Sequence, residues 1–526
     1  MDSGLPPLIQ ALRRPASYDH LVRNIELVET HISWVLLTGP YAYKIKKPLN
    51  LGFLDFSTLE KRLFFCEEEL RLNKRLAPSL YLEVIPITGS PTTPVLGGTG
   101  KPIEYAVKMI QFSEAARLDR MLARGELHPD HVDLLAQELA EFHGRIAIAG
   151  ADKSFGDPEH VHIPVTQNFT QIRTRLEALD QAQLQRLEIW SESRFADLRK
   201  SFENRKRDGF IRECHGDAHL ANMVWHEQSV LLFDCLEFND NLRWIDVMSE
   251  AAFLVMDLDD RGHPDLARRV LNAYLEHTGD YAGLAVFRFY QVYRALVRAK
   301  VACIRLGQSG LSHDEIKQGR EEFRGYANLA ERYTQPAPPA LIITHGLSGS
   351  GKTWLSQQLL ESIDVIRVRS DIERKRLHGL APGERSGSGI DRGIYSSDAS
   401  QRTYARLTEL ADMILRAGYS VIVDAAFLKR GQREQLHDVA QEVCVPFVIL
   451  DIQTPEHILR QRLRQRPQQQ LEASEAGLAV LERQLSRQEP LTDSERRLAI
   501  HVAGGEPVQP AALEQQLRAR LVPVHS

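Results

Sequence analysis

The chain has 526 residues, of which 43% are hydrophobic and 26% are charged, as in globular proteins with two to four domains and sizeable cores. Its formal net charge is −5, so no overall positive field predicts nucleic-acid binding, although a local basic patch stays open. Five cysteines without a CxxC pair, and no long apolar run or basic apolar leader, argue against disulfide frameworks, membrane spans and secretion and favour a cytoplasmic protein.

The first third of the chain changes character along its length. The segment Trp34–Lys47 predicts two strands joined by a tight turn at Gly39 and Pro40, and Glu60–Ala77 predicts a periodic helix. YLEVIPITG and EYAVKMIQF predict further strands, whereas helical patterns dominate from Leu118 onward. We therefore predict a small strand-rich lobe followed by a large helical lobe.

A proline-rich stretch, TQPAPPA, marks the clearest boundary. Its prolines cannot continue a helix and favour an extended connector. Beyond it, apolar strands alternate with helices, which is typical of a parallel α/β sheet. We predict a first domain over 1–333, a linker over 334–340, a second domain over 341–510 and a C-terminal tail over 511–526.

HGDAHLAN supplies Asp217 and, five residues later, Asn222. Phosphoryl transfer needs a base that orients the acceptor hydroxyl, oxygen ligands for magnesium and a cation over the phosphates. The spacing is that of the HRDxxxxN loop of protein kinases, with Gly in place of Arg. The apolar strand LLFDCLEF then delivers Asp234, twelve residues beyond Asn222, where kinases place a magnesium-binding Asp.

Lys44 lies in a predicted strand, as does the phosphate-binding lysine of kinases. The helix that follows offers Glu67, Glu68 and Glu69 as its partner, and we favour Glu69, seven residues before Leu76 near the helix end. The preceding LLTGPYAYK is not a GxGxxGxV loop, so it does not predict triphosphate binding. HGD alone also fits a turn with a capping Asp, but the ordered set is much rarer than such a turn.

These motifs resemble the aminoglycoside phosphotransferase family, whose loop is HGDxxxxN. The resemblance covers roughly the first 330 residues. It implies an α+β bilobal protein-kinase-like domain that uses ATP, magnesium and a small hydroxylated acceptor. By that resemblance Asp217 is the base, Asn222 and Asp234 bind metal, and Lys44 pairs with Glu69 over the phosphates. Glu237 stays open between a metal or substrate residue and a solvated carboxylate at a strand end.

A second phosphate motif, GLSGSGKT, fits GxxxxGK[ST] and stands between an apolar strand and an amphipathic helix. Its backbone N–H groups and the helix N-terminus favour phosphate oxygens. Lys352 would reach the β- and γ-phosphates, and Thr353 would bind Mg²⁺. The predicted nucleotide-binding residues are Gly346, Ser348, Gly349, Ser350, Gly351, Lys352 and Thr353.

Three further patterns follow this P-loop. Asp371 and Arg374, one helical turn apart, form a base-plus-arginine pair that would orient an acceptor. Asp424 ends an apolar strand, as a Walker B-like metal or water ligand does. Arg462 and Arg466 share a helix face that would close over the transferred phosphate as a lid. A charged, solvated face is the alternative for any one of these arginines.

The pattern GxxGxGKT…RSDxxRK…VIVDAxF…RxRxxxR resembles the P-loop kinases that include zeta toxins, gluconate kinase and polynucleotide kinase. It covers about residues 340–505 and implies an α/β P-loop domain with a parallel sheet. The whole chain is similar to a bacterial fusion of an aminoglycoside-phosphotransferase-like domain with such a kinase.

The leading hypothesis is a bifunctional phosphotransferase in which each domain uses ATP and Mg²⁺ to phosphorylate a hydroxyl of a small molecule. In the alternative, only the P-loop domain is catalytic, as a small-molecule, nucleotide-sugar or polynucleotide 5′-hydroxyl kinase, and the kinase-like domain is a ligand-binding regulator. The arginine cluster permits a nucleic-acid acceptor, but the net charge does not support one. We expect no membrane partner.

Overall fold

The computed structural model describes residues 4–52, 54–175, 178–307, 311–387, 393–465, 477–504 and 510–521. Its strands are numbered in chain order: β1 Glu26–Glu29, β2 Ser33–Leu37, β3 Tyr41–Lys46, β4 Tyr81–Ser90, β5 Thr93–Leu96, β6 Glu104–Ile110, β7 Ile211–Glu213, β8 Met223–His226, β9 Ser229–Leu232, β10 Trp244–Asp246, β11 Leu341–His345, β12 Ile366–Arg369, β13 Val421–Asp424, β14 Phe447–Gln453 and β15 Ala499–Ala503.

The α-helices are numbered in the same way: α1 Pro7–Leu12, α2 Leu59–Asn73, α3 Leu118–Ala123, α4 Pro129–Arg145, α5 Pro158–Arg173, α6 Ala178–Arg207, α7 Asp240–Arg243, α8 Val247–Asp260, α9 Pro264–Thr278, α10 Leu284–Leu306, α11 His313–Thr334, α12 Lys352–Ser362, α13 Ser370–Leu377, α14 Ser397–Arg416, α15 Arg430–Val443, α16 Glu456–Gln465, α17 Leu478–Arg487, α18 Asp493–Leu498 and α19 Pro510–Leu521.

Residue contacts divide the chain into two compact units. The first unit comprises 1–164 and 202–257, and the second comprises 165–201 and 258–526. The division therefore falls within α5, α6 and α8 rather than at the proline-rich stretch. Residues 336–340 of that stretch have neither helix nor strand, yet α9–α11 before it and the sheet after it belong to the same unit. The domain boundary at the prolines stays a prediction.

The first unit contains a six-stranded antiparallel sheet in the order β1-β2-β3-β6-β4-β5. β3 lies in the middle of this sheet, where Lys44 faces Val35 of β2 and Val107 of β6 across the ladder. Helix α2 begins after Thr58, whose side chain accepts a hydrogen bond from the N–H of Lys61. Its buried Cys66 packs in one core cluster with Val107. The predicted strand-rich kinase-like lobe is confirmed.

The β8–β9 hairpin follows the HGD motif directly. Glu227 and Gln228 between its strands have φ values of 47° and 64°. Positive φ at both central residues is the geometry that matches the right-handed twist of a two-residue hairpin. This tight turn returns the chain so that β9 leads directly to Asp234.

The second unit contains a parallel five-stranded sheet in the order β12-β13-β11-β14-β15, which confirms the predicted α/β P-loop architecture. Its three central strands, β13, β11 and β14, are buried on both faces, as expected for a parallel sheet covered by helices. One core cluster joins β14 and β15 to α12 and to Leu513 and Leu517 of α19. The segment predicted as a tail thus contains a helix that is part of this core, because these two leucines are buried.

Helix α9 covers the outer edge of the parallel sheet at β12. The side chain of Asn272 accepts a hydrogen bond from the N–H of Arg367 (2.7 Å) and donates one to the carbonyl of Val365 (3.2 Å). Glu276, one turn later, pairs with Arg367 (2.8 Å) and Arg369 (3.4 Å). The helix therefore satisfies edge groups of β12 that would otherwise be unpaired. It also fixes the end of the strand from which α13 begins.

Within the described residues, no helix combines the length and the apolar character that crossing a bilayer requires.

Replacing Asn272 with Leu tests the edge contact. We expect Asn272→Leu to destabilise the second unit by about 2 kcal/mol or more, because a buried N–H and a buried carbonyl lose their partner. The measurement is urea unfolding followed by circular dichroism. Gln401→Leu, at an exposed position of α14, is the control and should change stability by no more than about 0.5 kcal/mol. Equal effects of the two variants would contradict the assigned role of α9.

Candidate active sites

The HGD loop brings Asp217 and Asn222 together. Nδ2 of Asn222 donates to Oδ2 of Asp217 at 2.9 Å and to its backbone carbonyl at 3.1 Å. His219, which belongs to the same HGDAHLAN segment, places Nε2 3.3 Å from Oδ2 of Asp217. Asp217 is half-buried, so its carboxylate is oriented by neighbours and still reachable.

Helix α8 holds the backbone of this loop with a buried carboxylate. Glu250 accepts hydrogen bonds from the N–H groups of His215 (3.2 Å) and Gly216 (2.6 Å), and its Oε2 lies 2.9 Å from Nε2 of His143. Burial raises the pKa of Glu250, but the hydrogen bond and charge from His143, with lesser contributions from His215 and Gly216, outweigh it and lower the pKa to about 2. The loop is therefore held by a permanently charged acceptor at neutral pH.

A second carboxylate of α8 supports the other end of the loop. Oδ2 of Asp257 accepts from the N–H of Leu220 at 2.9 Å. Glu250 and Asp257 are seven residues apart, two helical turns, and therefore lie on one helix face. Neither residue was predicted from the sequence. Their position at the two ends of the apolar run AAFLVM is the signal that would have drawn attention to them.

His143, Cys214 and Glu250 bring one potential ligand atom each within 4.8 Å of one another. All three residues are buried, and both oxygens of Glu250 already accept hydrogen bonds from the loop. A carboxylate whose two oxygens already accept hydrogen bonds from the backbone is better suited to positioning the loop than to binding a metal ion. We therefore assign this cluster to loop positioning.

Lys44 lies between two carboxylates. Its Nζ is 2.7 Å from Oε1 of Glu69 and 2.5 Å from Oδ1 of Asp234. Burial lowers the pKa of Lys44, but the charges of Asp234 and Glu69 outweigh burial and raise it well above its ordinary value. The structure thus brings Glu69 to the lysine, rather than Glu67 or Glu68.

A second lysine shares the same carboxylate. Nζ of Lys46 lies 2.7 Å from Oε2 of Glu69 and also pairs with Glu237, and both Lys46 and Glu237 are buried. Burial raises the pKa of Glu237 although the charge of Lys46 opposes it. The solvated interpretation of Glu237 was wrong, since this residue is a buried partner of Lys46, and its interpretation as a metal or substrate residue stays a prediction. Alternate residues of a strand share a face, so KIK could have predicted that Lys46 lies beside Lys44.

Asp234 occupies an unusual backbone conformation, with φ of 64°. For a residue with a side chain, this left-handed region is sparsely populated and is found often at functional sites. The N–H of Asp234 donates to Oη of Tyr81 (3.2 Å), and the N–H of Cys235 donates to Oδ1 of Asn73 (2.9 Å). These two hydrogen bonds hold the strained turn that presents the Asp234 carboxylate.

The turn between β2 and β3 is short. It consists of Thr38, Gly39 and Pro40, and the N–H of Gly39 donates to Oε1 of Gln111 at 2.8 Å. Gly39 has φ of 101°, which explains the glycine at this point. A turn of this length offers few backbone amides to a phosphate.

The P-loop joins β11 to α12 and surrounds the ammonium group of Lys352. Nζ of Lys352 donates to the carbonyls of Gly346 (3.0 Å) and Leu347 (2.8 Å). Gly346 has φ of 151°, and a Cβ there would lie 2.8 Å from the carbonyl oxygen of Ile452. A side chain at this position would therefore clash with β14. The loop amino acids predicted to bind nucleotide, Gly346, Ser348, Gly349, Ser350, Gly351, Lys352 and Thr353, all lie between β11 and the first turn of α12.

Asp371 and Arg374 lie in α13, directly after β12. Nη1 of Arg374 donates to Oδ1 of Asp371 at 3.0 Å, and its guanidinium stacks 5.3 Å from the ring centre of Tyr395. Asp424 ends the neighbouring strand β13 and accepts a hydrogen bond from Oγ of Ser356 in α12 (3.2 Å). Because β12, β13 and β11 are adjacent and parallel, these carboxylates and the P-loop lie at one edge of the sheet.

The predicted lid is described only in part. Nη1 of Arg462 in α16 donates to the carbonyls of Gly349 (3.2 Å) and Ser350 (3.4 Å), so this arginine contacts the P-loop itself. Arg460 instead pairs with Glu456 on the same helix. Arg466, the second predicted lid residue, lies outside the described residues.

Two contacts in this unit were not predicted. His345 and His501 each place Nδ1 against one oxygen of Asp451, at 2.7 and 2.8 Å, beside a cavity of about 330 Å³. The backbone N–H of Ser348 in the P-loop donates to Oε1 of Gln484 in α17 at 2.8 Å. His345 is the last residue of β11 and His501 lies within β15, so the pairing of these strands with β14 was needed to bring both histidines to Asp451. No short-range pattern connects Gln484 with Ser348, which are far apart in the chain.

Two family models match the chain. The model described as a phosphotransferase enzyme family matches residues 66–288, and the model described as an AAA domain matches residues 341–491. Both regions are therefore kinase-type phosphotransferases, which use ATP, and the protein is a phosphotransferase enzyme with a kinase-like and a P-loop kinase domain.

Relatives extend across both regions. Uncharacterized proteins of Mycobacterium tuberculosis and Mycobacterium bovis are 30% identical over 406 residues, which cover 77% of this chain and 78% of theirs. The chain belongs to the same family as these mycobacterial proteins.

Solved structures resemble the chain over parts of its length. An amicoumacin kinase solved with AMP-PNP and Ca²⁺ is 10% identical and covers 60% of this chain and 89% of its own, with a TM-score of 0.39. A sugar kinase from Janibacter sp. is 20% identical and covers 35% and 97%, with a TM-score of 0.28.

Glu250→Gln tests the carboxylate that holds the HGD loop. The lowered pKa of Glu250 means that its contribution to stability is present above about pH 4.5 and is lost as pH falls towards 2. At neutral pH this contribution is on the order of 3 kcal/mol. We expect the variant to be less stable at pH 7 and to lose less stability between pH 4.5 and 3. Chemical unfolding at stepped pH measures both effects, and parallel stability curves would contradict the assignment.

Proposed function

We propose that the protein is a bifunctional phosphotransferase in which each domain transfers the γ-phosphoryl group of ATP to a hydroxyl of a separate small molecule. The observation that carries this proposal is the complete polar set of the first unit. Asp217 is oriented by Asn222, and Lys44 is held between Glu69 and Asp234. A lobe that only bound a ligand would not need both halves of this arrangement.

In the first unit, Asp217 would orient the acceptor hydroxyl and take up its proton as the phosphoryl group is transferred. Its Oδ2 already accepts a hydrogen bond from Asn222 and lies near His219, which fixes the carboxylate. Lys44 would bind phosphate oxygens of ATP, and Glu69 keeps its ammonium group in place. We assign these roles because the Asp217 carboxylate is only half-buried, whereas Glu69 is fully buried against Lys44.

The donor set in the first unit fits a magnesium ion. Asn222 uses its amide nitrogen towards Asp217, which leaves its Oδ1 for a cation, and Asp234 offers a carboxylate. Hard oxygen ligands are those that Mg²⁺ prefers. The two lysines and three carboxylates of the cluster carry +2 and −3, a formal net charge of −1. When bound, Mg²⁺ would neutralise phosphate charge, and Asn222 and Asp234 would hold it.

In the second unit, the P-loop amides and Lys352 would bind the phosphates, and Thr353 and Asp424 would hold Mg²⁺. Asp371 would orient the acceptor hydroxyl, and Arg374 keeps that carboxylate in position through their 3.0 Å contact. Arg462 lies against the P-loop, where its guanidinium would stabilise charge on the transferred group. Arg466 remains a proposed lid residue.

One observation favours a second candidate function. The three-residue turn between β2 and β3 offers the first unit no glycine-rich loop over the phosphates. In this candidate only the P-loop domain is catalytic, as a small-molecule, nucleotide-sugar or polynucleotide 5′-hydroxyl kinase. The kinase-like unit would then bind a ligand and regulate it.

Two variants separate the candidates. Asp217→Asn and Lys352→Met are assayed with ATP against sugars, aminoglycosides, nucleosides and 5′-hydroxyl oligonucleotides, with phosphorylated products identified by mass spectrometry. For a bifunctional enzyme we expect each variant to lower the formation of a different product by about 100-fold or more, because each removes a group of only one site.

Matched controls are Asp152→Asn and Lys317→Met, at exposed positions of the first and second unit. They should leave every product unchanged. If Asp217→Asn also changes nothing while Lys352→Met removes all products, the bifunctional proposal fails and the second candidate stands. If both variants leave all products intact, neither proposed site is catalytic.

A further inference from the structure

Gln484 contacts a backbone N–H of the P-loop, which is the kind of group that binds phosphate oxygens in such loops. The N–H of Ser348, third residue of GLSGSGKT, donates to Oε1 of Gln484 at 2.8 Å. In such loops successive backbone N–H groups point at phosphate oxygens. A phosphate oxygen and the Gln484 carbonyl would therefore compete for the same donor.

Helix α17 holds Gln484 at this place. Leu481, one turn before Gln484, is fully buried in a cluster with Leu459 and Leu463 of α16, and Leu347 of the P-loop packs against the same cluster. The residue beside Ser348 in sequence thus anchors the helix that carries Gln484. These apolar contacts hold α17 against the P-loop.

The neighbours of Ser348 show which end of the loop Gln484 faces. Nζ of Lys352, the group that reaches the β- and γ-phosphates in P-loops, donates to the carbonyls of Gly346 and Leu347. Ser348 follows Leu347 directly. Its N–H therefore lies at the γ-phosphate end of the loop, and so does the side chain of Gln484.

A glutamine side chain can serve both partners at this position. Its amide carries an acceptor oxygen and an NH₂ donor on one carbon, and a half-turn about the last torsion exchanges them at low cost. We propose that Gln484 binds the γ-phosphate. When no triphosphate is bound, its Oε1 accepts a hydrogen bond from the backbone N–H of Ser348. When a triphosphate is bound, the N–H of Ser348 donates to the phosphate instead, and the NH₂ of Gln484 donates to a γ-phosphate oxygen. This inference rests on the proposed nucleotide binding by the P-loop.

The consequence is a preference for triphosphate over diphosphate. ADP has no γ-phosphate, so it gains nothing from the NH₂ group of Gln484. A carboxylate at this position would lack the donor and would repel the γ-phosphate. A leucine would lack both the donor and the acceptor, and would leave the N–H of Ser348 without this partner.

The experiment measures nucleotide binding at the P-loop alone. Hydrogen exchange of the peptide covering residues 341–355 is followed by mass spectrometry in the full-length chain while AMP-PNP or ADP is titrated with Mg²⁺. We expect Gln484→Glu to lower the affinity for AMP-PNP by about tenfold or more, since a hydrogen bond to a charged group is lost. The affinity for ADP should fall by less than about threefold. Gln484→Leu should also lower the preference for AMP-PNP over ADP. Without nucleotide, it should speed hydrogen exchange of this peptide.

Gln441→Glu, at an exposed position of α15, is the matched control and should bind both nucleotides as the unmodified chain does. Equal weakening of AMP-PNP and ADP by both Gln484 variants, or no change with either, would overturn the role of Gln484. If neither nucleotide protects the peptide in the unmodified chain, the P-loop does not bind nucleotide. That result would contradict the proposed function of the second unit, and with it the role of Gln484.

Discussion

One carboxylate, that of Glu69, is the contact on which the first unit depends. It pairs with Lys44 and Lys46 at once, each at 2.7 Å, from a helix packed against the sheet that carries both lysines. Buried charges are costly unless each is paired, so this cluster exists only when α2, β3 and the segment with Asp234 and Glu237 are all in place. The charge that would hold phosphate is therefore assembled by the fold rather than by any one segment.

The two units solve the same electrostatic problem with different backbones. The first unit presents side-chain cations and carboxylates from an antiparallel sheet, with the HGD loop fixed by Glu250. The second unit uses backbone amides of the P-loop, and its parallel strands bring Asp371 and Asp424 to the same sheet edge. Side chains can be held by ion pairs, whereas backbone amides need glycines such as Gly346 at positive φ.

Sequence motifs were sufficient where chemistry is encoded at fixed spacing. HGDxxxxN fixed the relation of Asp217 to Asn222, and GLSGSGKT fixed the phosphate loop. The pairing of Lys46 with Glu237 was not predicted, because it joins residues 191 positions apart and no local pattern links them. The prolines at 334–340 suggested a boundary, yet α9 packs on β12, because the side chains of Asn272 and Glu276 match the unpaired edge of that strand.

The sequence by itself determined the two phosphotransferase classes and their order along the chain, because the motifs that define them depend on short-range spacing. Only the tertiary structure decided which carboxylate meets each lysine, that α8 holds the HGD loop, that α9 belongs with the parallel sheet and that Gln484 reaches the P-loop. Those contacts join residues distant in the chain. Their energies come from burial and pairing of charge, which a linear pattern does not record.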